Sequence, residues 1–197
     1  CHNDIPSAKR QCKREIASKS ESWRTPSFAD ILGSREIKEQ CKDILFCSDL
    51  HGDESRNTFI TGPSGFIGSN LAKRILAAEP DIQVIGLDNM NDYYDVRIKE
   101  ARLAELQSFE NYTFFKGNLA DKELINRIFV QYRPEIVVNL GAQAGVRYSI
   151  TNPDAYIESN MLGFYNILEA CRHYPVEHLV YASSSSVYGS NKKVPYS

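Results

Sequence analysis

The sequence predicts an α/β protein whose core is a parallel sheet wound on both faces by helices. Three observations predict it. From Asn57 onward, short β-branched and aromatic runs alternate with segments of helical apolar spacing. A glycine-rich turn links the first such run to the first helix. An acid closes the second run, twenty residues after the last glycine of that turn.

Taken in order, Thr58-Phe59-Ile60-Thr61 reads as the first strand, and Phe66 to Ala78 as a helix through Ile67, Leu71, Ile75 and Leu76. Pro80 marks that helix's end. The second strand is 82–87 and the second helix 94–107, rich in Lys, Glu, Ala and Leu. Residues 112–115 form the third strand, and 121–132 the third helix with Asp121 as its cap. Pro134 introduces a fourth strand at 136–140. A long fourth helix is expected over 152–173, with Pro153 in its first turn, where a missing N–H costs nothing. A fifth strand is expected at 179–183. Repeated alternation demands parallel pairing, and right-handed crossovers make the doubly wound sheet its natural solution.

Residues 1–56 have another texture: polar, of mixed charge, and without a strand-like run. Ser27 and Asp30 match a capping box, and Phe28, Ile31, Leu32, Ile37, Cys41, Ile44 and Leu45 recur near helical spacing. One amphipathic helix is expected in an otherwise irregular extension, and the domain boundary falls near Arg56, leaving 57–197 as the folded domain.

Composition limits the function classes. Apolar content of 42% and charged content of 24% are those of an ordinary globular chain. A net charge of −2 gives no general pull toward nucleic acid or an anionic membrane. No apolar run approaches the ~20 residues that span a bilayer, and the first residues lack the apolar stretch of a secretory signal. The expected location is the cytosol. The five cysteines include no CxxC pair, and the spacing of Cys41, Cys47 and His51 fits no common zinc pattern, so no metal is expected. The chain begins with Cys and stops at Lys193-Val194-Pro195-Tyr196-Ser197, so a longer protein is expected.

The strongest motif is Thr61-Gly62-Pro63-Ser64-Gly65-Phe66-Ile67-Gly68, which runs from strand into helix. In a Rossmann-type fold Gly62 takes the tight turn, Gly65 lets backbone approach a pyrophosphate, and Gly68 lets helix and strand pack closely. Free N–H groups and the dipole at the helix start favour the phosphates. Asp88, in Gly86-Leu87-Asp88-Asn89, is placed to accept both ribose hydroxyls and to repel a 2′-phosphate. No Arg or Lys follows it immediately, which favours NAD over NADP.

TGPSGFIGSNL, GLDNMNDYYD, NLGAQAGVRYS, ESNMLGFYNILEAC and VYASSSSVYG fall in order at fixed separations. Together they resemble the extended short-chain dehydrogenase/reductase family, and within it the bacterial UDP-glucuronate 4-epimerases. The likeness covers Asn57 to Ser197 and none of the first 56 residues. It implies an NAD site made by Gly62, Gly65, Phe66, Ile67, Gly68, Asp88 and Asn89, with Asn118 and Leu119 beside the adenine. Gly141, Ala142 and Gln143 would line the cofactor, with Asn160 on the long helix. The family usually has Asp at Asn118 and Ala at Gly141. Asn118 can still accept from the adenine amino group through its side-chain oxygen.

By the same resemblance, Ser184 is the catalytic hydroxyl at the sugar O4, and Ser185 and Ser186 face the sugar. By composition alone four serines are a turn; the strand end before them and the Val-Tyr-Gly after them argue for a site. Arg147, the one base in its loop, is a candidate for an anionic substrate. The implied reaction is a hydride round trip at C4 of a UDP-sugar, using NAD. The family's base is the Tyr of a Tyr-x-x-x-Lys motif, and no tyrosine here is followed four residues later by Lys in the place the family requires. Tyr94 is followed by Ile98, and Tyr188, although followed by Lys192, belongs to the Val-Tyr-Gly turn. The motif and the sugar-binding domain are therefore expected beyond Ser197, and these residues alone should bind NAD without turnover. The dehydratases of the family place Asp-Glu after the catalytic hydroxyl, where this chain has Ser185 and Ser186, which counts against dehydration. A decarboxylase on the same sugar acid, or a silent NAD-binding module, stay open. Relatives commonly form dimers through helices that include the long fourth one.

Overall fold

The computed structural model describes residues 56–193. The expected helix within 27–46, and Cys41, Cys47 and His51, lie outside the described residues. The described residues through Ala182 pack as one unit, and Ser183 begins another.

Five strands, β1 (Asn57–Thr61), β2 (Gln83–Asp88), β3 (Tyr112–Lys116), β4 (Ile136–Asn139) and β5 (His178–Tyr181), form one sheet in the order β3-β2-β1-β4-β5. All four pairings are parallel, as the alternation with helices requires. The helices are α1 (Phe66–Ala78), α2 (Val96–Gln107), α3 (Lys122–Tyr132), α4 (Tyr148–Thr151), α5 (Asp154–Tyr156) and α6 (Phe164–His173). A π-helical segment, Ile157–Gly163, joins α5 to α6.

Neighbouring strand residues point to opposite faces, and both faces are covered. Phe59, Ile85, Leu87 and Val137 pack against Leu124, Ile125, Ile128 and Phe129 of α3 and Ile167 and Ala170 of α6. Ile60, Val84 and Val138 pack against Ala72, Ile75 and Leu76 of α1 and Leu106 of α2. The Phe59 and Phe129 rings meet edge to face at 5.6 Å.

The expected elements are present with shifted ends. β4 stops at Asn139, not residue 140, because the Leu140 amide turns to the Thr61 hydroxyl. β5 ends correspondingly early; the Ala182 amide makes the last bond to β4, at Asn139 O. The helix expected from residue 94 begins after Asp95, whose carboxylate caps the Arg97 amide. The single helix expected over 152–173 is broken. Tyr148–Thr151 forms a separate turn, and the run from Asp154 widens to π geometry before α6. Tertiary contacts lie in that widened stretch: Glu158 accepts from Asn118, Asn160 bonds the Gln143 backbone, and Gly163 backs onto Leu119.

Candidate functional site

The chain runs outward through β1, β2 and β3, then returns to β1's other side as β4. In such sheets a ligand lies at the carboxyl ends of the strands where this reversal occurs. Thr61, Asp88 and Asn139 stand at those ends.

The glycine loop is held against the sheet by the Gly62 amide, which donates to Leu87 O at 2.9 Å. Gly62 has φ +71°, and a Cβ there would come within 3.1 Å of the Gly141 backbone. A Cβ on Gly68 would run into the backbone carbonyl of Gly62. Both positions demand glycine for physical reasons, positive φ in one and helix-to-loop contact in the other. The first backbone bond of α1 is Ser69 N to Gly65 O, and no side chain caps the helix. The Ile67 and Gly68 amides are thus available to an anion, and Phe66 and Ile67 are exposed beside them.

Asp88 is buried at the end of β2. Its Oδ2 accepts from the Ser64 amide at 3.1 Å and its Oδ1 from Met90 N at 2.9 Å. The acid is thereby tied to the glycine loop, and each oxygen keeps a lone pair for a ribose hydroxyl. Asn89 Oδ1 accepts from Asn91 N.

A base does stand near this acid, although none follows it directly in sequence. Lys99 of α2 is buried; its Nζ donates to Asn91 O at 2.9 Å and Asn91 Oδ1 at 2.6 Å and lies over the Tyr94 ring. Burial lowers its pKa, against the opposing pull of Asp88 and Asp92. Its spacing with Leu103 and Leu106 is the signal that marks it as inward-facing. Arg102, one turn on, reaches Tyr94 Oη at 3.2 Å and Ser64 O at 3.4 Å and covers the Phe66 ring.

On the β4 side, Thr61 Oγ1 donates to Asn139 Oδ1 at 2.7 Å and accepts from Leu140 N and Gly141 N. This hydroxyl fixes the strand ends to one another, a role the sequence did not reveal. Gly141 faces Leu119, whose Cδ1 would lie 2.8 Å from a Cβ at 141, so an alanine there would require Leu119 to move. Ala142 is exposed and Gln143 buried. Asn160 is turned onto the loop after β4. Its Oδ1 accepts from Gln143 N at 2.8 Å and its Nδ2 donates to Gln143 O at 2.9 Å. Asn118 donates to Glu158 Oε1 and accepts from Ala120 N through the oxygen expected to meet adenine, leaving that oxygen one lone pair.

Arg147 is exposed at the start of α4. Ser184 precedes a 3₁₀ turn, Ser185–Tyr188, and its hydroxyl accepts from the Ser186 amide at 3.2 Å. Ser184 and Ser186 are exposed. They belong to the unit beginning at Ser183, whereas the glycine loop, Asp88, Leu119, Gly141, Gln143 and Asn160 lie in the unit ending at Ala182.

A parallel sheet reversing at β1, with a glycine loop and a ribose-type acid beside the reversal, defines a Rossmann-type dinucleotide-binding domain. The family model described as GDP-mannose 4,6 dehydratase matches residues 59–197, and the chain belongs to that family of nucleotide-sugar enzymes. It is 54% identical over 138 residues to protein CapI of Staphylococcus aureus, covering 70% of this chain and 40% of CapI. It is 42% identical over 137 residues to a probable UDP-glucuronate 4-epimerase of Rhizobium meliloti, again 70% of this chain and 40% of the relative. Among solved structures it resembles the UDP-glucuronic acid 4-epimerase of Bacillus cereus in complex with UDP-glucuronic acid and NAD. The TM-score is 0.63 and the identity 25%, over 70% of this chain and 43% of that one. The chain spans about two fifths of the length of these curated relatives. Among the described residues no helix is long and apolar enough to cross a membrane.

Proposed function

We propose that this chain is the cofactor-binding part of an NAD-dependent UDP-glucuronate 4-epimerase, which interconverts UDP-glucuronate and UDP-galacturonate in the cytosol. The observation that carries the cofactor reading is Asp88, a buried carboxylate bonded directly to the glycine loop. The residues present fit a dinucleotide: amides for the diphosphate, an acid for the ribose, and a glycine cradle that a Cβ would fill. NAD held there would supply a reversible hydride acceptor at the sugar C4, the chemistry that an inversion through a 4-keto sugar requires.

The chain's own residues then have separate tasks. The Ile67 and Gly68 amides hold the diphosphate, and Asp88 accepts from the adenosine ribose. Leu119, Gly141 and Gln143 wall the cofactor. Ser184 hydrogen-bonds the sugar O4 while its proton leaves, Ser185 and Ser186 meet the sugar, and Arg147 attracts its carboxylate. The sugar substrate is supported by the named relatives and by the serines at 185 and 186, where a dehydratase needs an acid and base. Exposed apolar residues Ile157, Met161, Tyr165 and Leu168 support a homodimer through this helical run.

The test uses the protein with its native continuation. Calorimetry should show NAD binding well above NADP, and Asp88→Asn should weaken NAD binding by about tenfold to a hundredfold. UDP-glucuronate should give UDP-galacturonate. No affinity for NAD sinks the cofactor reading, and a 4-keto-6-deoxy product would replace epimerase with dehydratase, the activity for which the family model is named.

A further inference from the structure

Two of the motifs, NDYYD after β2 and AGVRYS after β4, carry tyrosines that the proposed chemistry does not use. The fold brings them together. The Tyr93 ring packs on Tyr148 with centroids 5.0 Å apart, and Tyr148 lies 6.3 Å from Tyr156. The Tyr156 hydroxyl meets the carbonyls of Ala144, at 2.9 Å, and Gly145. Tyr148 Oη accepts from Asn152 Nδ2 at 2.8 Å, which ties its ring to the turn that follows.

Gly145 shows how closely this loop is specified. Its φ is +98°, and a Cβ would strike the Tyr93 hydroxyl. Glycine supplies the positive φ the loop needs there, and the Tyr93 hydroxyl fills the space a side chain would take. β2 and β4 are not neighbours, because β1 lies between them. A contact between the loops that follow them therefore spans the carboxyl end of β1, where the glycine loop begins. Arg147 stands two residues after Gly145, exposed and within the same turn.

We propose that Tyr93 is a positioning residue for the sugar-binding loop: packed at a tilt against Tyr148 and seated against Gly145, it sets the backbone that presents Arg147. It acts from the loop that follows Asp88, so the element gripping the cofactor also shapes the substrate side. This rests on the reading of Arg147 as the base that meets the sugar acid. Tyr93 makes no contact with substrate itself; its effect passes through Gly145 and Tyr148.

The test compares the full-length protein with its Tyr93→Ala and Tyr93→Phe variants. With Tyr93→Ala, KM for UDP-glucuronate should rise about tenfold while kcat and the NAD dissociation constant stay within about twofold. Tyr93→Phe keeps the ring and should restore KM. In parallel, limited trypsinolysis with NAD present should cut after Arg147 at least about tenfold faster in Tyr93→Ala than in the unsubstituted protein, with Tyr93→Phe again protected. Unchanged cleavage at Arg147 in Tyr93→Ala overturns the proposal. So does a loss of NAD affinity as large as the rise in KM, which would mark general damage to the fold. If the unsubstituted protein does not convert UDP-glucuronate, the epimerase reading fails, and the cleavage rates still decide whether Tyr93 sets this loop.

Discussion

Tyr112, at the start of β3, carries a hydroxyl buried against Gly86 without a hydrogen-bond partner among the described residues. Burial, and then the charge of Asp88, push its pKa far above the ordinary tyrosine value. The phenol is therefore neutral in the folded state, while in the unfolded chain it ionises near pH ~10. The sign follows: its contribution is intact below pH ~10 and is lost progressively as pH rises beyond it. Tyr112→Phe removes both the unpaired hydroxyl and this alkaline penalty. Urea unfolding at neutral pH should show a gain of about 1 kcal/mol, and the fall in stability above pH ~10 should become shallower. A loss of stability at neutral pH would mean that the hydroxyl has a partner. Nothing in Tyr112-Thr113-Phe114-Phe115 marks this hydroxyl, because its burial comes from Gly86 and from the core cluster it joins with Ala72, Ile75 and Val84, far off in sequence.

At the scale of single elements, the best-read features are those whose physics is local. The bounds of α1 follow from the glycine turn before it and Pro80 after it. Asp121 caps α3 as its position before a helical run requires, accepting from Leu124 N at 2.9 Å. Asp121→Ala should lower stability by about 1 kcal/mol in the same unfolding assay, with α3 residues gaining hydrogen exchange first. The helix over 152–173 was misread for the opposite reason. Its break and π segment coincide with Asn160 bonding a loop seventeen residues earlier and Gly163 backing onto Leu119, and no periodicity records such contacts. The same limit hid Thr61 and Tyr93, each locally an ordinary strand or loop residue whose partner, Asn139 or Tyr148, lies far along the chain.

For the molecule as a whole, alternation and the glycine motif were enough to predict a parallel sheet, while the strand order β3-β2-β1-β4-β5 is read from the structure. What alternation could not supply is the surface. Ile157, Met161, Tyr165 and Leu168 leave an apolar stripe exposed along the π segment and α6. If this stripe joins two copies, the double variant Met161→Glu/Leu168→Glu should turn a dimer into a monomer in sedimentation analysis, with NAD affinity retained. A monomeric unsubstituted protein would remove the dimer from the proposed function.

The central position of β1 has a consequence for how the chain is made. Of the five described strands this one leaves the ribosome first, yet Thr61 meets Asn139, its partner on the far side, only 78 residues later. Until then one edge of the innermost strand has no mate, and closing that long loop is slow because chain entropy opposes it. The nascent protein thus carries an open, apolar strand edge through most of the domain's synthesis. That interval, more than the finished fold, is when it is most exposed to mispairing and to capture by chaperones.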